Sequence, residues 1–223
     1  MRKAKLIPVL TAIIFLTLSL YAYTYVLPKI FEFKQKDALS EWEEKIFKGR
    51  VLYEVRPEKT KGYLLAQSKE ACSGIFYKVK FDPKKYPLIS WKWRIKEFPK
   101  KDKAVEGGWL EKDDYPARVY VIFPALIFTN IRSIEYVWDE TLPKDTIMTS
   151  PYYGNIKLIV AESGRKISKG WFSVERNILD DYAKAFGGVP AWVGAVAIMT
   201  DADNSLSSAE AEYTDLKVGY KNE

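Results

Sequence analysis

Ile89-Ser90-Trp91-Lys92-Trp93-Arg94-Ile95-Lys96 places every apolar side chain at an odd number and every polar one at an even number. Successive side chains of a strand point to opposite faces, so this octapeptide reads as a half-buried strand with both tryptophans turned inward. The same period recurs on both sides. Val51, Tyr53 and Val55 alternate with Leu52, Glu54 and Arg56, and Ile75, Tyr77, Val79 and Phe81 share one face opposite Lys78 and Lys80. Similar runs cover 63–68, 118–123, 134–138, 156–161, 170–175, 193–200 and 212–220. The pattern predicts about ten strands, separated by Pro, Gly, Asn and Asp signals. Many strands with few helices must bury one apolar face of each sheet against another, which predicts an all-β fold: an antiparallel β-sandwich of the jelly-roll type with one or two short helices. No repeat of 20–50 residues is visible, which argues against a propeller or solenoid.

Two helices are expected. Ser40-Glu41-Trp42-Glu43 has the form of a capping box and predicts a short helix to Lys48, stopped by Gly49. Asn177 is an N-cap for a second helix whose apolar stripe is Ile178, Leu179, Tyr182, Ala183 and Phe186, stopped by Gly187-Gly188 and closing one end of the sandwich. Lys96 to Tyr115 and Leu142 to Asn155 are long connections without periodicity.

Leu6 to Leu27 is an uncharged tract of 22 residues. At about 1.5 Å per residue it reaches roughly 33 Å, enough to cross a hydrocarbon core of about 30 Å. Arg2, Lys3 and Lys5 before it favour a cytoplasmic amino terminus and a domain facing the periplasm or the extracellular side, and Tyr21, Tyr23 and Tyr25 sit where an interfacial belt would lie. The alternative is a cleaved secretory signal; the length of the tract and the lack of a small-x-small site favour an anchor. The chain thus divides into a cytoplasmic n-region (1–5), a transmembrane anchor or uncleaved signal (6–27), a linker (28–39) and a β-sandwich domain (40–223).

The net charge of +6 is no nucleic-acid signal, because setting aside the three topogenic charges leaves 32 basic residues against 29 acidic ones, interleaved along the chain. A hydrophobic content of 48% rules out a disordered chain. Histidine is absent, which excludes every Ser-His-Asp, Cys-His and His-zinc arrangement, and a single Cys72 excludes an internal disulfide.

Four constellations remain. Asp113-Asp114-Tyr115-Pro116-Ala117-Arg118 joins an aspartate pair to a guanidinium at a loop–strand junction; it reads either as a ligand-binding group or as an ion pair pinning the loop. Thr200-Asp201-Ala202-Asp203-Asn204-Ser205 places Asp201, Asp203, Ser205 and Glu212 at the oxygen-donor spacing of a calcium loop, but Leu206 stands where that loop needs glycine, leaving calcium a weak candidate beside an Asx-type turn. Ser163-x-x-Lys166 lacks its companion motifs and is coincidental. Of the seven tryptophans, Trp91 and Trp93 belong to the core, and Trp109, between Gly108 and Leu110, is the candidate for stacking on a sugar.

The pattern formed by Trp42 with Phe47-Lys48-Gly49, Leu65-Ala66-Gln67-Ser68, Ser90-Trp91-Lys92-Trp93, the Asp113-to-Val121 strand, Ile134-Glu135-Tyr136-Val137-Trp138, Glu175-Arg176-Asn177, Asp181-Tyr182 and Thr200-to-Asn204 resembles the bacterial family of domain of unknown function 3047 over about residues 40 to 220. The family has no established activity, and its members look exported. The opening half is loosely similar to galactose-binding-like jelly rolls, many of which bind glycans without cleaving them.

The resulting expectation is a membrane-anchored, extracytoplasmic β-sandwich that binds a glycan or another envelope component without turning it over. Its expected ligand-binding residues are Asp113, Asp114, Arg118, Trp109, Arg176, Asp181, Asp201, Asp203 and Asn204. Cleavage of a glycoside by two carboxylates and a structural role in an envelope complex stand as alternatives. No cofactor beyond calcium and no nucleic-acid partner is expected.

Overall fold

The computed structural model describes residues 27–57, 61–101, 113–125, 127–167 and 170–222. Two sheets pack face to face. One holds β1 (Lys29–Phe31), β3 (Leu52–Arg56), β4 (Tyr63–Lys69), β6 (Leu88–Glu97), β11 (Phe172–Asn177) and β13 (Ser208–Tyr220). Its order is β11-β6-β13-β4-β3, with β1 also paired to β13. The other holds β2 (Glu43–Lys48), β5 (Cys72–Phe81), β7 (Arg118–Phe123), β8 (Arg132–Asp139), β9 (Ile147–Thr149), β10 (Ile156–Ser163) and β12 (Val193–Asp201), in the order β2-β5-β12-β7-β8-β10-β9. The pairing is antiparallel except between β8 and β10, which run parallel, so the second sheet is mixed where a purely antiparallel one was expected.

The alternation read from the sequence is the alternation of burial. Trp91, Trp93 and Ile95 of β6 meet Tyr136 and Trp138 of β8 across the interior, all at most 2% exposed. The Trp91 ring lies 5.3 Å from Tyr136 and the Trp93 ring 5.7 Å from Trp138. Removing one such ring costs about 3–5 kcal/mol, because the close-packed surroundings do not collapse fully into the void.

The helix α1 (Ile178–Phe186) begins as expected, with Asn177 Oδ1 accepting from the N–H groups of Leu179 and Asp180, and ends at Gly187. The first expected helix is absent. Residues 43–48 form β2, an exposed edge strand paired with β5, and the segment before it is a turn in which the Ser40 and Trp42 N–H groups donate to Asp37 and Leu39. Pairing with a neighbouring strand outweighs a short capping signal. Residues 28–39, expected as a linker, carry β1 and bury Phe31 and Phe33 in the core, so the domain starts earlier than residue 40.

Strand directions define two ends. At the near end β1, β6, β8, β10 and β12 begin, β5, β7, β11 and β13 finish, and α1 sits. At the far end β5 and β7 begin and β8 and β12 finish. Among the described residues no helix is long and apolar enough to cross a membrane; the 6–27 tract, save Leu27, lies outside them.

Candidate functional site

Register builds the site. Arg118 opens β7, pairing with Met199 of β12 and Val137 of β8. Val119 and Val121 face the core, so Arg118 and Tyr120 point outward from the seven-stranded sheet, and so do Asp201 two residues beyond Met199 and Glu135 two before Val137. The outward row through Tyr120 reads Phe76, Ala197, Tyr120, Glu135 across four adjacent strands.

Arg118 is 3% exposed and each of its three side-chain nitrogens donates. Its Nε donates to Asp201 Oδ1 at 3.0 Å and its Nη2 to Asp201 Oδ2 at 2.5 Å, a two-pronged pairing that a planar guanidinium suits. Nη2 also donates to the Asp113 carbonyl at 2.7 Å, while Nη1 donates to Glu135 Oε2 at 3.0 Å and lies 3.6 Å from Asp113 Oδ1. Asp114, fully buried, accepts from the N–H groups of Asn204 (3.2 Å) and Ser205 (2.6 Å). Asn204 Nδ2 donates back to the Asp113 carbonyl. On the inner side Thr200 Oγ1 donates to the Pro116 carbonyl, and Tyr213 Oη accepts from the Arg118 N–H and donates to the Met199 carbonyl. The two motifs that stood apart in the sequence are thus one staple joining loop 113–117 to turn 202–205.

Five carboxylates, Asp113, Asp114, Asp201, Asp203 and Glu135, gather around two cations, Arg118 and Lys48; Lys48 lies 3.5 Å from Asp203 Oδ2. Burial raises the carboxyls of Asp113 and Asp201 to about 7, against the pull of Arg118 and with help from the neighbouring acids. It also raises Glu135 and Asp203. Asp113 Oδ1 accepts no hydrogen bond.

Donor atoms of Cys72, Asp201 and Asp203 lie within 4.8 Å of one another. Both Asp201 oxygens already face Arg118, Lys48 approaches Asp203, and burial with the adjacent carboxylates raises the Cys72 thiol, keeping it protonated. The calcium register does not form. Glu212 lies on the other sheet, paired with Arg94 and 3.7 Å from Lys96, and the Ser205 hydroxyl turns to Ala202 and Ser207.

Of the expected ligand-binding residues, Asp113, Asp114, Arg118, Asp201, Asp203 and Asn204 converge at the far end. Arg176 and Asp181 do not join them: β11 carries Arg176 to the near end, where its Nε and Nη2 donate to Asp181 at 2.8 and 2.7 Å. Asp181 also accepts from Tyr136 Oη at 2.9 Å, a bond that fastens α1 to β8. Trp109 lies outside the described residues. Sequence reasoning passed over Glu135, Lys48, Cys72 and Tyr152, whose Oη donates to Asn204 Oδ1 at 3.1 Å. Glu135 had a signal, being the one charged residue in the apolar run 134–138.

The fold is a two-sheet β-sandwich with one short helix. The family described as "Protein of unknown function (DUF3047)" matches residues 40–217, and the chain belongs to it. No curated protein matches the chain. Among solved structures it is similar to a family 11 carbohydrate-binding module of a cellulosomal cellulase of Clostridium thermocellum, with 10% identity and a TM-score of 0.48, covering 90% of this chain and 98% of that one. A family 30 module from the same organism gives 8% identity and 0.46, over 82% and 93%. A xyloglucanase domain from Sinorhizobium fredii gives 10% identity and 0.43, over 81% and 91%.

Proposed function

We propose that this chain is a membrane-anchored, extracytoplasmic β-sandwich that binds an extended polar ligand of the glycan class on the outer face of its seven-stranded sheet, without cleaving it. The observation that carries the reading is the outward row Phe76, Ala197, Tyr120, Glu135. Phe76, Ala197 and Glu135 are at most 6% exposed, so Tyr120 is the member of the row that reaches the surface. Tyr120 is partly exposed and packs at the border of the small apolar cluster of Phe76, Ile122, Ala195 and Ala197. Lys48, Asp203, Asn204 and Tyr152 gather at the far-end side of the row. Sugars offer apolar C–H faces bordered by hydroxyls, so the partly exposed Tyr120 ring with polar groups beside it matches their chemistry.

The way the acids are engaged supports binding without turnover. Cleavage by a carboxylate pair needs two carboxyls facing each other across the substrate, whereas Asp113, Asp201 and Glu135 all turn onto one guanidinium. The uncharged 6–27 tract supports the anchored, exported placement.

Equilibrium binding of the full chain to a panel of cell-envelope polysaccharides tests the reading. At least one is expected to bind, with Tyr120→Ala weakening it about tenfold through loss of stacking. A folded chain with no affinity for any polysaccharide of the panel would overturn it.

A further inference from the structure

The near end of the sandwich has a surface the glycan reading leaves unused. Only Pro28 separates the last residue of the apolar tract from β1. Leu27 is itself held on the domain: Gly219, at φ +72, lies so close that a Cβ there would meet Leu27 Cδ2 at 2.6 Å. One intervening residue spans at most about 7 Å between its neighbours, so a membrane crossed by the tract lies directly against this end.

The chemistry of the end suits such a neighbour. Three lysines each lie over an aromatic ring: Lys80 over Trp192, Lys85 over Tyr86 and Lys217 over Tyr220 at 4.0 Å. All three rings are partly exposed. Lys84 and Lys221 are exposed beside them, against Asp82 and Glu175, while α1 adds one exposed residue of each sign, Asp180 and Lys184. Val189, in the connection to β12, is 56% exposed, and Ile127, in the connection to β8, is 59% exposed. Amphipathic rings, lysines with long apolar stems and single exposed aliphatic residues are the groups that settle at headgroup depth.

We propose that this end docks on the anionic headgroup surface of the bilayer that carries the chain's own anchor. The domain then stands with its sheets across the membrane plane and the Arg118 staple about 30 Å from the headgroups, one ten-residue strand away. The inference rests on the anchored reading of residues 6–27.

The test reconstitutes the full chain in vesicles of phosphatidylcholine alone and of phosphatidylcholine with roughly one-third phosphatidylglycerol. Flotation reports the anchor; hydrogen exchange of the amides in 82–87, 187–192 and 219–222 reports docking. The chain is expected to float with both vesicles and to exchange at least about fivefold more slowly in these segments only with phosphatidylglycerol, the protection vanishing in Lys84→Glu/Lys85→Glu/Lys221→Glu. A chain that floats yet exchanges there equally on both vesicles, or a charge-reversed variant that keeps its protection, overturns the docking and leaves the anchor standing. A chain that fails to float removes both.

Discussion

Arg118→Met is the sharpest perturbation available, because methionine fills much of the arginine volume while leaving Asp201, Glu135 and Asp113 without their shared cation. Four hydrogen bonds of 2.5 to 3.0 Å and one ion pair of 3.6 Å disappear, in surroundings where Arg118 and all three acids are at most 5% exposed. Breaking a buried pair on one side costs about 3–5 kcal/mol. Against a usual stability of about 5–15 kcal/mol, that is about a fifth of the fold or more. At about 2–4 °C per kcal/mol for a domain of this size, the melting temperature drops by roughly 10 °C at pH 8. The loss shrinks as the pH falls towards 5, since the orphaned carboxyls then take up protons and need no counter-charge. Urea unfolding followed by tryptophan fluorescence reads the difference, and Asp201→Asn added to Arg118→Met should return part of it. A variant within about 1 kcal/mol of the parent at pH 8, or an equal loss at both pH values, would show that the cluster does not hold the two loops together.

In the parent, Asp113 and Asp201 are raised from 3.8 to about 7, so the fold holds protons that the unfolded chain has released. Their contribution is complete below pH 4 and fades as the pH climbs to 7, by up to about 1.4 kcal/mol per pH unit for each group; scanning calorimetry from pH 5 to 8 should find the melting temperature falling, and a rise would contradict the assignment. Asp114→Ala strands the buried Ser205 N–H and the Asn204 N–H and should cost about 1–3 kcal/mol in chemical denaturation, with proteolysis appearing first at 202–206.

The core was legible because its signal is periodic: β6 reads Ile89, Trp91, Trp93, Ile95 in the sequence and in the interior alike. The α1 boundary was legible because Asn177 and Gly187 act locally. The edges were not. β2 and β9 are short and exposed, carry no two-residue apolar period, and owe their extended form to the strands beside them. β1, three residues long, is fixed by pairing with β13 across most of the chain. At the site, both acidic motifs stood out, but their convergence on Arg118 depends on the β7–β12 register, which sequence spacing alone does not encode. In the other sheet the β11–β6 pairing carries Arg176, and with it Asp181 of α1, to the opposite end.

Strand β13 lies in the middle of its sheet, between β6 and β4, with β1 also paired to it, although it is the last strand along the chain. A polypeptide made from its amino terminus therefore cannot shut this layer until residues 208–220 have appeared, and Trp91 and Trp93 stay uncovered on one flank during synthesis. Closure is a single late event joining segments almost two hundred residues apart, the kind of pairing that slows folding and lengthens exposure to aggregation. A ribosome stalled before residue 208 would hold two half-sheets with open borders, and chaperone demand should peak there and fall once that last strand slots in.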